Sequence, residues 1–266
     1  EFSAEGLTSG YHDLKLVVGN DAGEVAEDTA KKAFNMHPFE TFAATNGASV
    51  YPYDTPAKAA TNVNDALAAV WSGETETPRR VNVAEGTYVL TDTLTLGYPV
   101  ALVGAGSDKT LFDGSGLDKR ALVVSDAAAV ASGFEIRGIR KSVTTPGCAV
   151  YQSSGTVRDI VVSDIYTAAH SVFGVGVAVA GGVFEDSVVT NCEASDAHNN
   201  HGVGLSLSDG VVRRCRIVGN KRTKTYQGVS YGAGAYVSGG LLENCEIVGN
   251  SSAVKTAGVY LLGGTV

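Results

Sequence analysis

Several features that usually point to a function are scarce in this sequence. It holds one methionine, one tryptophan and six prolines, and 18% of its residues are charged, below the roughly one quarter usual in globular domains. With 44% hydrophobic residues there is apolar surface enough for a core, which excludes a disordered chain. Clustered positive charge is absent: 20 Lys and Arg stand against 28 Asp and Glu, a net charge of −8. The one local basic group, Lys221, Arg222 and Lys224, reads as a solvated loop, so no nucleic acid is expected as a partner. No apolar run in the sequence reaches the roughly 18 residues of a membrane span. The four cysteines, Cys148, Cys192, Cys215 and Cys245, have no C-x-x-C or related metal-ligand spacing and leave the redox compartment open. No signal peptide is visible and the first residues, Glu1-Phe2, resemble a cloning remnant, so the reading is of a mature or recloned piece.

Glycine is abundant, 33 residues of 266, and its placement is periodic. Related segments begin at Gly155, Gly182, Gly210 and Gly240, with a fifth opening at Gly264; the spacings are 27, 28, 30 and 24 residues. Aligning them produces columns. Val157, Phe184, Val212 and Leu242 form one apolar column, and Val162, Val189, Ile217 and Ile247 form another. Ile160, Ser187, Cys215 and Cys245 form a column of small to medium residues, and Ile165, Cys192, Asn220 and Asn250 close each segment. Upstream lies a second strand, in which Val175, Val177 and Val179 align with Val203, Leu205 and Leu207, then with Ala233, Ala235 and Val237, then with Ala257, Val259 and Leu261. The alternation with period two is that of a strand with one buried face. A repeat of this length with several short strands predicts an all-β fold, a right-handed parallel β-helix or solenoid, whose core forms only when rungs stack.

One column tests the register without reference to hydrophobicity. Arg158, Glu185, Arg213 and Glu243 alternate in sign. Stacking at about 4.8 Å places each arginine beside carboxylates, whereas like charges at that spacing would repel. The adjoining column, Asp159, Asp186, Arg214 and Asn244, marks a corner where the left-handed conformation is tolerated.

The organisation expected is an N-terminal extension over residues 1–50, of unassigned role, followed by the parallel β-helix over 51–266. The extension contains a strand-like Leu14–Val18 and a helix-like stretch from Gly23 to Phe34. A capping helix is expected near 56–71, with Asp54 or Thr55 as N-cap, Pro56 in its first turn and an apolar face of Val63, Ala66, Leu67 and Val70. Such an N-terminal α-helical cap covers an otherwise open first rung. Gly264-Thr-Val266 opens a rung without completing it, so the solenoid is expected to be truncated at the C-terminus, with end-to-end self-association as one consequence.

Tyr51-Pro-Tyr-Asp-Thr-Pro, Val83-Ala-Glu-Gly-Thr-Tyr, Leu102-Val-Gly-Ala-Gly and Phe112-Asp-Gly together resemble the opening of pectate-lyase-like right-handed β-helix proteins. The later Gly-Gly-x-x-x-x-Cys-x-Ile-x-x-Asn segments are similar to polymorphic outer-membrane-protein repeats. The resemblance covers roughly residues 45 to 266 and implies a bacterial protein that is secreted or at the cell surface. It speaks for fold and not for activity, since one fold hosts many chemistries.

Two functions from different classes follow. The first is a non-catalytic, adhesin-like binding or scaffold element for a carbohydrate or protein surface, including a neighbouring copy, with no cofactor. Its candidate site is an outward strip of Tyr151, Gly176, Gly204, Ser206, Gly234, Tyr236, Gly258 and Tyr260, a glycine track edged by aromatic faces that a sugar ring can approach. The bland alternative is glycine fitted to close backbone packing. The second is a polysaccharide lyase or glycoside hydrolase, with calcium a cofactor only in the lyase case. The strip itself lacks the paired carboxylates that glycoside hydrolysis requires. A separate loop cluster, His170 with Asp196 and His198, has the residue types of a metal site; the two histidines are 28 residues apart, which is the local period. A solvated or stacked histidine pair is the competing account.

Overall fold

The computed structural model describes residues 6–71, 78–141, 144–195, 200–223, 231–253 and 255–266. The chain folds as an all-β solenoid of about six turns, preceded by a two-stranded antiparallel hairpin and containing one α-helix among the described residues. A typical rung starts with Val177–Glu185, turns a corner at Asp186, continues as Val188–Thr190, turns again at Asn191, and runs on as Glu193–Ala194. Stacking these pieces gives three parallel sheets of thirteen, seven and five strands.

The columns read from the sequence are the register of the sheets. Val157 pairs with Phe184, Phe184 with Val212, and Val212 with Leu242; all four are buried. Val162, Val189, Ile217 and Ile247 stack likewise in the seven-stranded sheet. In-register stacking of this kind turns short strands, each able to bury little alone, into one continuous core.

The corners explain much of the glycine and Asp/Asn content. Asp159, Asp186, Arg214 and Asn244 all adopt left-handed backbone, with φ of +54°, +50°, +53° and +53°. The repeat glycines Gly155, Gly182, Gly210, Gly240 and Gly264 do the same, with φ from +70° to +87°. At Gly182 a Cβ would lie 2.4 Å from the Gly155 carbonyl oxygen, so a side chain is excluded by space as well as by φ.

Polar columns knit the rungs. The Asn220 Nδ2 donates to the Val189 carbonyl at 3.1 Å, while its Oδ1 accepts from the Cys192 N–H at 3.0 Å. Asn250 repeats the pattern one rung on, accepting from the Asn220 N–H and donating to the Ile217 carbonyl. Cys215 and Cys245 are stacked free thiols; each donates to the carbonyl two residues before it, and the Cys215 N–H points at the Cys245 sulfur at 3.4 Å.

The charge ladder is present, with pairing more selective than simple alternation. Arg213 Nε donates to Glu185 at 2.7 Å. Arg214 from the corner column grips Asp186 through two bonds of 2.7 Å and reaches Glu185 at 2.8 Å. Arg158 instead turns to Asp159 at 3.2 Å.

Two N-terminal expectations need correction. The stretch expected as helical from Gly23 to Phe34 is a strand, Val25–Met36, paired antiparallel with Gly10–Gly19. The deciding feature is the turn between them, where Asn20 Oδ1 accepts from the N–H groups of Ala22 and Glu24 at 3.0 Å each and closes a hairpin. The helix expected over 56–71 is two pieces. Pro56–Lys58 is a 3₁₀ turn and the α-helix is Val63–Val70, capped by Asn62, whose side chain accepts from the Asn64 N–H at 2.8 Å. Between them Ala60 leaves the helical path to bridge Ala43 at the sheet edge, and Asp54 pairs with Lys58 rather than capping. The sheet's unpaired backbone groups outbid helix continuation there. The helix lays Val63, Ala66, Leu67 and Val70 into the same core as Val81 and Val83, and no described helix is long and apolar enough to cross a membrane.

Candidate functional site

The outward face expected to carry ligand lies on the strands around Val150–Gln152, Val177–Val179, Leu205–Leu207, Ala235–Val237 and Val259–Leu261. Tyr151, Ala178, Ser206, Tyr236 and Tyr260 are in register along it. The glycine track is not on this face. A Cβ on Gly176 would lie 2.8 Å from Cys192 Sγ and Val189 Cγ1. One on Gly204 would meet Asn220 Nδ2 at 2.7 Å and Ile217 Cγ2 at 2.8 Å, and Gly234 faces Asn250 and Ile247 at 2.8 Å each. These three glycines point into the core beneath the asparagine ladder. Gly258, in the last rung, has nothing within 4 Å. The physical reason is a bend: Gly174, Gly202 and Gly232, each two residues upstream, are left-handed, so the alternation counted backwards from the strand does not persist through the turn.

What the outer face presents instead is an aromatic cluster beside a small groove. Phe173 and His201 form a parallel bridge with ring centroids 4.9 Å apart. His201 stacks on Tyr231 at 5.6 Å and Tyr231 on Tyr260 at 4.0 Å. Tyr236 lies parallel to Tyr260 at 5.8 Å and close to His201 at 4.8 Å. Sequence reasoning missed Phe173, His201 and Tyr231 as a set, although a signal was there. Each immediately precedes one of the left-handed glycines, at the local spacings of 28 and 30 residues. Beside the cluster is a groove of about 280 Å³, lined by Tyr151, Phe173, Ala178, Ser206, Ser208 and Ser238 among others. Tyr151 carries the Arg120 guanidinium over its ring at 4.5 Å, with Arg120 Nε anchored on the Pro146 carbonyl at 2.8 Å.

The groove lining is uncharged among the described residues, while Arg120 and Lys255 set their charges on the flanking rings of Tyr151 and Tyr231. Burial, with a smaller contribution from Arg222, pushes the His201 imidazole down to about 4, and its Nδ1 accepts the Tyr231 N–H at 3.2 Å, so the ring is neutral near pH 7 with its proton on Nε2. Burial, then the neighbouring tyrosines, raises the Tyr236 phenol. No carboxylate lines the groove among the described residues. The carboxylates with clearly lowered pKa in the repeats, Glu185 and Asp186, lie at the corner, held down chiefly by hydrogen bonds from Arg213 and Arg214 respectively.

Of the proposed metal set, Asp196 and His198 lie outside the described residues, and His170 is exposed. The neighbouring Asn200 is buried and structural, accepting from the Val172 N–H and donating to the Ala169 carbonyl. Among the described residues no group of three or more His, Cys, Asp or Glu side chains converges to hold a metal ion. His37 and His12 also gain partners, His37 Nδ1 at 3.0 Å from the Ala69 carbonyl and His12 stacked on Phe34 at 5.3 Å.

Stacked parallel rungs define a parallel β-solenoid, with an uncharged aromatic groove on its outer face. No known protein-family profile matches the chain, and no curated protein is detectably similar to it. Among solved structures it is similar to ORF18 of Geobacillus virus E2, at 15% identity and a TM-score of 0.31, over 65% of this chain and 41% of that one.

Proposed function

We propose that the protein is a non-catalytic binding element, secreted or at the cell surface, which uses the serine and aromatic groove of the solenoid to hold a carbohydrate. The observation that carries this reading is the makeup of the groove. Tyr151 and Phe173 supply apolar ring faces and Ser206, Ser208 and Ser238 supply hydroxyls, while no lining carboxylate is present among the described residues. Sugar recognition needs ring stacking with a few placed hydrogen-bonding groups; glycosidic hydrolysis needs two opposed carboxylates. The reading requires no cofactor. Its architectural counterpart is a right-handed, pectate-lyase-like β-helix, the hand that nearly all parallel crossovers take, with the helix Val63–Val70 as its N-terminal cap.

A glycan array followed by titration calorimetry on the hits tests it. Ser208→Trp, which fills the groove, should abolish binding while circular dichroism stays unchanged. Tyr151→Ala should weaken it roughly tenfold, the loss of one stacking contact of about 1.4 kcal/mol. Absence of any glycan hit, or binding indifferent to both changes, refutes the proposal. Release of products from acidic polysaccharides, with or without calcium, would show a lyase or hydrolase instead.

A further inference from the structure

A second concavity lies at the other end of the solenoid, away from the aromatic groove. It encloses about 370 Å³, within the range of about 300–1,000 Å³ usual for small-molecule sites. Phe42, Asn82 and Val103 stand in register across three neighbouring strands of the first sheet. Pro56 of the 3₁₀ turn and Ala105 close two sides, and Arg80 is the one charged side chain in the lining among the described residues. The break in the helix that the sequence did not foretell is what sets Pro56 here, because Ala60 pulls the segment onto the sheet edge.

Arg80 is arranged so that part of its guanidinium is committed and part is free. Its Nε donates to Asn82 Oδ1 at 2.7 Å, and the Asn82 amide donates in turn to Glu40. Glu40 also lies against Arg80, its carboxylate 3.6 Å from Nε. The two terminal nitrogens have no hydrogen-bond partner among the described residues. They form a planar fork that matches a carboxylate through two parallel bonds. Asn82 and Glu40 fix the orientation of the fork, and the remaining walls are apolar.

We propose that this pocket binds a small organic carboxylate, with the acid group on the terminal nitrogens of Arg80 and a compact apolar or aromatic body over Phe42, Val103 and Pro56. The inference is independent of the groove reading, since the two sites share no residue. Ligand-observed NMR with 3-phenylpropionate and its neutral isostere 3-phenylpropanamide tests it on the whole chain. The acid should bind with a Kd of roughly 0.1–1 mM, as suits a ligand of that size, and about tenfold more tightly than the amide. Arg80→Gln should erase the preference, and Arg80→Lys, which keeps the charge but loses the fork, should restore only part of it. Val103→Trp should exclude both ligands, with an unchanged unfolding transition showing that the fold persists. Equal affinity for acid and amide, a preference that survives Arg80→Gln, or no binding of the acid up to about 20 mM, some twenty times the weakest Kd expected, each overturns the proposal.

Discussion

Substituting alanine at Gly204 separates two accounts of the glycine column. If these glycines lined a surface, the change would be neutral or stabilising by up to about 1 kcal/mol. The structure places the new methyl 2.7 Å from Asn220 Nδ2 and the Gly234 carbonyl oxygen, and 2.8 Å from Ile217 Cγ2. The backbone oxygen cannot swing aside, and moving the amide breaks its bonds to Cys192 and Val189. Overpacking of this kind costs about 2–3 kcal/mol. Because Gly204 is not in the left-handed region, alanine returns roughly 0.5–1 kcal/mol by narrowing the unfolded ensemble. The net loss is then about 1–2.5 kcal/mol, which at roughly 2–4 °C per kcal/mol lowers the unfolding temperature by about 2–10 °C. Gly258→Ala, with nothing within 4 Å, is the control and should be neutral or slightly stabilising. Thermal unfolding followed by circular dichroism on both variants makes the comparison. A Gly204→Ala protein melting with the wild type would show that the column does not face the core.

Asn220→Ala should cost about 1–3 kcal/mol in urea denaturation, because it strands the buried Cys192 N–H and removes the side-chain bond to the Val189 carbonyl; a loss under about 0.5 kcal/mol would refute the ladder's role. Glu185 and Asp186 have lowered pKa values in the fold, so their contribution is present above the ordinary carboxylate range and is lost as pH falls through the lowered values. Arg213→Gln with Arg214→Gln should flatten that acid dependence in a pH series of melts, and an unchanged slope would count against it. All four cysteines should titrate as free thiols in denaturant without reductant. In the native protein Cys245 should react first, since it is half-buried and a hydrogen bond from Cys215 lowers its thiol pKa. Cys192, raised by burial, should stay silent; fewer than four thiols in denaturant would refute the unbridged pair.

The repeat was legible because parallel stacking writes itself into the sequence: the same interior site recurs every 24 to 30 residues, so a column of like residues is a direct record of register. That is why the pairing of Phe184 with Val212 and the left-handed corner at Asp159, Asp186, Arg214 and Asn244 could be read without coordinates. Local periodicity says nothing, however, about how the chain turns between strands. Gly176, Gly204 and Gly234 reversed their facing because left-handed glycines two residues earlier rotate the chain. The Val25–Met36 segment fits both periods, and the Asn20 turn with its partner strand selected the extended one. The helix break at Ala60 depends on the open edge of a strand some twenty residues away in sequence. The aromatic cluster and the Arg80 pocket arise the same way, from side chains on separate rungs and loops. Sequence by itself determined the stack, since its terms repeat along the chain; only the tertiary structure decided the facings and the sites, which depend on contacts between segments that carry no repeat.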